Sequence, residues 1–150
     1  LYVVPFTEVQ LYLLENVPED KLTIFLKRAM MRTAEMFAKK EHADGLVTGE
    51  SAGQVASQTM QGINAINAVC TMPVMRPLCG MDKQEIVDKA RKIGTFETSI
   101  LPYEDCCTIF VAKHPETRPK VSVINKIESK LEGLDSLLEK AFNETEVFEL

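Results

Sequence analysis

The chain has 150 residues, is 45% hydrophobic and carries a formal net charge of −5, which suits one domain able to bury most of its apolar surface. No run approaches the ~20 apolar residues of a membrane span and no signal-peptide pattern opens the chain, so it reads as a cytoplasmic protein without membrane contact. The charge excess is local: Glu128 to Leu150 holds seven acidic and two basic residues while residues 1–127 balance at fifteen each, which leaves room for a basic surface toward nucleic acid. Cys70, Cys79, Cys106 and Cys107 fit neither zinc-ligand spacing nor a secreted disulfide framework, so reduced thiols and no metal site are expected.

Leu1 to Val4 is apolar and β-branched and stops at Pro5, the pattern of a buried strand; it has no start signal before it, which suggests the later part of a longer protein. The spacing of Phe6, Val9, Leu13 and Val17 predicts a helix capped by Thr7 and closed by Pro18. Leu22 to Lys39 is the clearest helix, with Leu22, Phe25, Leu26, Ala29, Met30, Thr33, Met36 and Phe37 on one apolar face. Its other face is basic, with six lysines and arginines from Lys21 to Lys40 against Glu35 alone. Lys21, Lys39 and Lys40 suit a solvated face. Lys27, Arg28 and Arg32 read either as part of that face or as cations that meet phosphate, because they recur on the helix leading into the next strand.

Gly45 to Thr48 is a short apolar run, Gly49 to Gly53 a turn of small residues, and Val55, Thr59, Ile63 and Ile66 recur behind it at helical spacing. Open α/β sheets place ligands at such strand–turn–helix junctions, since glycines let a nucleotide approach the backbone and a new helix offers unpaired N–H groups. The run is neither a Walker A loop nor G-x-G-x-x-G, and its glycines can equally serve the turn alone. Met72 to Leu78 reads as a strand confined by Pro73 and Pro77. Asp82, with Glu85 three residues on, caps a helix that carries Ile86, Ala90 and Ile93 and ends at Gly94. Thr95 to Pro102 is irregular or briefly extended. Val121 to Phe142 is helical, broken near Gly133, with its acidic surface facing water. This alternation of strands and helices predicts an α/β sheet with crossovers.

The run Leu-Val-Thr-Gly-Glu-Ser-Ala-Gly-Gln-Val-Ala-Ser-Gln-Thr (residues 46–59) and the run Pro-Tyr-Glu-Asp-Cys-Cys-Thr-Ile-Phe (residues 102–110), the latter followed by Lys113, Pro115 and Thr117, resemble the tRNA 4-thiouridine synthetase family. The similarity extends to residues 6–10, 27–32 and 74–83, essentially the whole chain. It implies an adenine-nucleotide alpha-hydrolase-like fold of the PP-loop ATPase, Rossmann-like type, a parallel sheet flanked by helices. It also implies an enzyme that uses ATP, with Mg2+, to adenylate uridine 8 of tRNA and replace its oxygen with sulfur from a persulfide supplied by a cysteine desulfurase. A further role in carrying sulfur to the thiazole of thiamine is implied, and a homodimer is a candidate assembly.

Carried over by residue, Gly49 and Gln58 match ATP-binding positions of the family, and Lys27 falls where many relatives have arginine, which keeps the charge and loses the bidentate fork. The sulfur-carrying cysteine falls on the Cys106-Cys107 pair, and aligning Cys-Thr-Ile-Phe with the Cys-Gly-Val-Ile of other branches favours Cys107. Glu104 and Asp105 would raise that thiol's pKa, whereas Lys113, Arg118 and Lys120 would lower it if near. Cys70 and Cys79 are expected to be inert and partly buried. The family's Ser-Gly-Gly-x-Asp-Ser phosphate loop is absent, as are its THUMP, ferredoxin-like and rhodanese domains. Residues 1–150 are therefore expected to be the carboxyl-terminal part of the ATPase/sulfurtransferase domain, incomplete at its amino terminus and inactive alone. The alternative is a non-catalytic adenine-nucleotide-binding or protein-interaction module with structural cysteines.

Overall fold

The computed structural model describes residues 1–53, 58–103 and 114–149. The core is built round a 19-residue helix, Leu22–Lys40, which is α2 because α1 (Thr7–Asn16) precedes it. Good helix formers dominate it and neither Gly nor Pro interrupts it. It stops where His42 takes a left-handed backbone (φ 56°) and the Ala43 N–H donates to the Ala38 carbonyl at 2.8 Å, a Schellman-type end. Helix α1 (Thr7–Asn16) lays Val9 and Leu13 on it. Helices α3 (Met60–Asn67), α6 (Val121–Glu128) and α7 (Leu134–Asn143) add Ala65, Ile66, Ile124, Leu134 and Leu138. The apolar stripe expected on α2 is too narrow. Ile24, Met31 and Ala38 are buried too, because α1, α3 and α7 surround the helix, whereas Met30 stays exposed.

Two short strand pairs complete the described fold. Strand β2 (Leu46–Val47) pairs in parallel with β3 (Val74–Met75), Leu46 opposite Val74 and Val47 opposite Met75. Leu46 and Val74 pack on the core while Val47 and Met75 face outward. The approach is so close at Gly45 that a Cβ there would lie 2.9 Å from the Pro73 carbonyl oxygen. The amino-terminal strand differs from expectation. β1 (Tyr2–Val3) runs antiparallel to β4 (Glu146–Val147) rather than joining the parallel pair, and Leu1 and Val3 are exposed. An antiparallel ribbon buries one face only. Here Tyr2 rests on Phe37 at 4.7 Å between ring centroids and Val4 turns toward the core.

Other local expectations divide by cause. The Asp82–Glu85 capping box and the Gly94 stop (φ 75°) are present around α4 (Lys83–Lys92), yet this helix has no buried residue and Ile93 is exposed. Thr7 is not a cap: Phe6 holds that position and makes no side-chain capping bond. The strand between the prolines shrinks to β3, and Thr95 to Pro102 contains a short helix, α5 (Phe96–Ser99), with the Arg91 guanidinium 4.6 Å from the Phe96 ring centre. The helical pattern does break before α7, where the Gly133 N–H donates to the Tyr12 hydroxyl at 3.1 Å. Thr59, read as a helical residue, is instead the N-cap of α3, accepting from the Gly62 N–H at 3.0 Å.

Buried charge fixes α2 to its neighbours. Arg28, 2% exposed, donates through Nη1 to the Ala65 carbonyl (2.6 Å), through Nη2 to Asn125 Oδ1 (2.8 Å) and Glu128 Oε2 (2.5 Å), and through Nε to Glu128 Oε1 (3.1 Å). Arg32 pairs with Asp135 at 2.5 Å. Arg28 is thereby taken up inside the fold and Glu128 is its partner, whereas Arg32 is partly exposed and Asp135 lies largely in water, as expected of the acidic surface.

Glu35, the acid of α2, is buried and accepts from the Thr71 N–H (2.8 Å), the Thr71 hydroxyl and Lys39 (2.8 Å). Burial opposes its charge, but the bonds from Lys39 and Thr71 outweigh that cost and bring its pKa from 4.5 down to about 2. A carboxyl whose folded pKa is depressed stabilises above its unfolded value and loses that contribution as pH falls through the folded one. Glu35→Gln should therefore be less stable than the unsubstituted chain at pH 7, with the difference closing between pH 4.5 and about 2. Denaturant unfolding at pH 7, 4 and 2 measures this; a difference that is constant with pH would remove the charge from the explanation.

Candidate functional site

The last ladder bond of the parallel pair runs from the Thr48 N–H to the Met75 carbonyl at 3.0 Å, after which the chain leaves the sheet. Gly49 follows. Its φ is not in the left-handed region, and a Cβ added to it would meet nothing within 4 Å among the described residues. Neither turn geometry nor this packing needs glycine there. It leaves open backbone at the carboxyl end of a parallel strand, where α/β sheets receive ligands. Gly53, by contrast, has φ 80° and serves the turn. Gln58 holds this turn from the far side: its Oε1 accepts from the Ser51 N–H at 3.3 Å and its carbonyl from the Gly53 N–H at 2.8 Å. The Ser51 hydroxyl donates to the Met81 carbonyl at 3.0 Å.

Beside Gly49 three charges meet. Glu50 accepts from Lys27 Nζ through Oε1 at 3.2 Å and from Arg76 Nε through Oε2 at 2.9 Å, with the Thr48 hydroxyl 3.4 Å from Oε2. Arg76 also donates through Nη1 to Asn67 Oδ1 (3.2 Å) and the Val74 carbonyl (3.4 Å), while its buried Nη2 has no partner among the described residues. Burial pushes the Glu50 carboxyl up, but Arg76 and Lys27 together hold it below the usual carboxylate range. The site is thus an ionised carboxylate between two cations. Adjacent parallel strands deliver Glu50 and Arg76 just past their ends, and α2 delivers Lys27. The structure therefore brings Lys27, Gly49 and Gln58 around one turn. Glu50 and Arg76 were not singled out from the sequence, although Glu50 follows one predicted strand and Arg76 lies inside the other, just past the point where the observed strand ends.

Cys106 and Cys107, with Glu104, Asp105 and Lys113, lie outside the described residues, as does Val55. Thr117 is fastened to the start of α3, because the Thr59 hydroxyl, one residue from Gln58, donates to the Thr117 carbonyl at 2.7 Å. Cys70 is half-buried, and burial first, then Glu35, pushes its thiol up, which suits an inert role. Cys79 is exposed rather than partly buried. Among the described residues no group of His, Cys, Asp and Glu could hold a metal ion, and no helix is long and apolar enough to cross a membrane.

The family model described as Thiamine biosynthesis protein (ThiI) matches residues 1–132. The chain is 61% identical over 148 residues to the probable tRNA sulfurtransferase of Lachnoclostridium phytofermentans, covering 98% of this chain and 38% of that protein. It is 60% identical over 147 residues to the probable tRNA sulfurtransferase of Acetivibrio thermocellus, covering 98% and 37%. A crystal structure of a 4-thiouridine synthetase–RNA complex with bound ATP shares the α/β fold at a TM-score of 0.91 and 43% identity, over 97% of this chain and 38% of that one. The chain thus spans less than two fifths of the length of these relatives.

Proposed function

The chain belongs to the thiamine biosynthesis protein (ThiI) family, and we propose that it forms the later part of the ATPase/sulfurtransferase domain of a tRNA sulfurtransferase, an enzyme that makes 4-thiouridine in tRNA. The observation that carries this reading is the open backbone of Gly49 beside the Lys27–Glu50–Arg76 cluster at the end of a parallel strand. Relatives named tRNA sulfurtransferase and the ATP-bound neighbour support it. The parallel pair β2–β3 is consistent with a PP-loop, Rossmann-like sheet.

ATP fits the residues present. Gly49 offers approach to the backbone, Lys27 an ammonium with one partner among the described residues, and Gln58 fixes the turn between them. When bound with Mg2+, ATP supplies the adenylyl group that makes the uridine oxygen a leaving group. Lys27 stabilises phosphate charge as it develops, since a fixed cation costs no reorganisation at the moment of reaction. Cys107, beside Cys106, carries the incoming sulfur as a persulfide received from a cysteine desulfurase. The same sulfur can pass to thiazole synthesis for thiamine, and the complete protein works in the cytoplasm, with a homodimer as its candidate assembly.

In a chain extended to the full length of its relatives, tRNA should gain 4-thiouridine only when ATP is supplied. Lys27→Ala should raise the ATP concentration required by about ten- to a hundredfold, one charge-assisted bond being worth ~1.5–3 kcal/mol, with tRNA binding little changed. Thiolation without ATP, or an unchanged ATP requirement in Lys27→Ala, would overturn the reading.

A further inference from the structure

We propose that Glu50 and Arg76 are positioning residues that aim the Lys27 ammonium at a bound nucleotide, an inference that rests on the nucleotide reading of Lys27 above. The three side chains differ in how firmly each is held. Arg76 is fixed from three directions, by Glu50, by Asn67 at the end of α3 and by the Val74 carbonyl of β3, and only 11% of its side chain is exposed. Glu50 is fixed in turn by Arg76 and Thr48 and is equally covered. Lys27 is the loosest. Its side chain is 25% exposed and its Nζ has one partner among the described residues, Glu50 Oε1. A four-carbon stem with no other anchor would sample many rotamers, and ordering it costs free energy that binding would have to supply.

The order of restraint therefore runs from Arg76 through Glu50 to Lys27. An ammonium has three donors, and among the described residues Glu50 takes one, which leaves two toward phosphate oxygens. Two cations against one carboxylate leave the cluster with a net positive charge, the sign a nucleotide phosphate requires. Because Glu50 directly follows Gly49, the same carboxylate ties the cation to the open turn. The arrangement has no local signature in sequence, since it is assembled from α2 and the ends of two strands.

The test is a mutant cycle on ATP affinity in the chain of full length, measured at equilibrium by calorimetry in the unsubstituted protein, Glu50→Gln, Lys27→Ala and the double variant. Glu50→Gln keeps the shape and removes the charge, and should weaken ATP about tenfold. The double variant should bind no more weakly than Lys27→Ala alone, because a residue that acts through Lys27 has nothing left to orient. A purely structural role would instead give additive losses, which would overturn the proposal. So would tighter binding by Glu50→Gln, the result expected if the carboxylate merely cancels positive charge. An unchanged affinity in Lys27→Ala would overturn the nucleotide reading itself and this inference with it. Arg76→Lys keeps the charge without the fork. Placed in the same cycle, it should weaken ATP only while Lys27 is present, and it decides the matter should Glu50→Gln fail to fold.

Discussion

Glu128→Ala should destabilise the chain by about 3–5 kcal/mol, the cost of leaving a buried guanidinium without its carboxylate. That is a large part of the ~5–15 kcal/mol that holds a typical domain folded. The loss falls on Arg28, which is 2% exposed and cannot turn to water without opening the packing of α2 against α3 and α6. Helix α6 has Ile124 as its one fully buried residue, with Val121 and Ile127 partly buried against the core. Replacing both partners, as Arg28→Met with Glu128→Leu, should recover most of the loss, because an apolar pair of similar volume needs no desolvated charge. Urea unfolding of the three proteins measures this. A loss under about 1 kcal/mol in Glu128→Ala would mean that the pair behaves as a surface salt bridge and that α6 is held by packing alone.

Lys27 and Arg28 show where the sequence stops being readable. The two are adjacent, equally basic and on the same helix, and periodicity offered phosphate contact to both. One residue is a rotation of roughly 100° on a helix. That rotation carries Lys27 to Glu50 at the strand turn and Arg28 into the space between α3 and α6. The partners that decide their roles come from distant segments, and no spacing rule reports them. Features set by neighbours in the chain were legible: the body of α2, the Asp82–Glu85 box, the Gly94 stop and the break before α7 all follow from local capping and helical period. The β1–β4 ribbon was not, since Tyr2 meets Val147 from the opposite end of the chain. At the site, Lys27, Gly49 and Gln58 were expected through a family resemblance, whereas Glu50 and Arg76 lay inside the same motifs and stayed unremarked until the strands set them side by side.

Cys107→Ser should abolish 4-thiouridine formation in the chain of full length while leaving ATP-dependent activation of tRNA in place. A persulfide needs a side-chain sulfur to bear the transferred one, and a serine hydroxyl can neither hold it nor ionise near neutrality as a thiol does. Activation precedes delivery in the proposed order, so an activated tRNA should still form and then wait without a sulfur donor. Cys106→Ser removes a neighbour rather than the carrier and should cost far less. Incubation of the intact protein with a cysteine desulfurase and cysteine, followed by mass spectrometry of the peptide that contains both residues, should place the added sulfur on Cys107. Sulfur found on Cys106, or thiolation by Cys107→Ser near the unsubstituted level, would exchange the roles of the two residues.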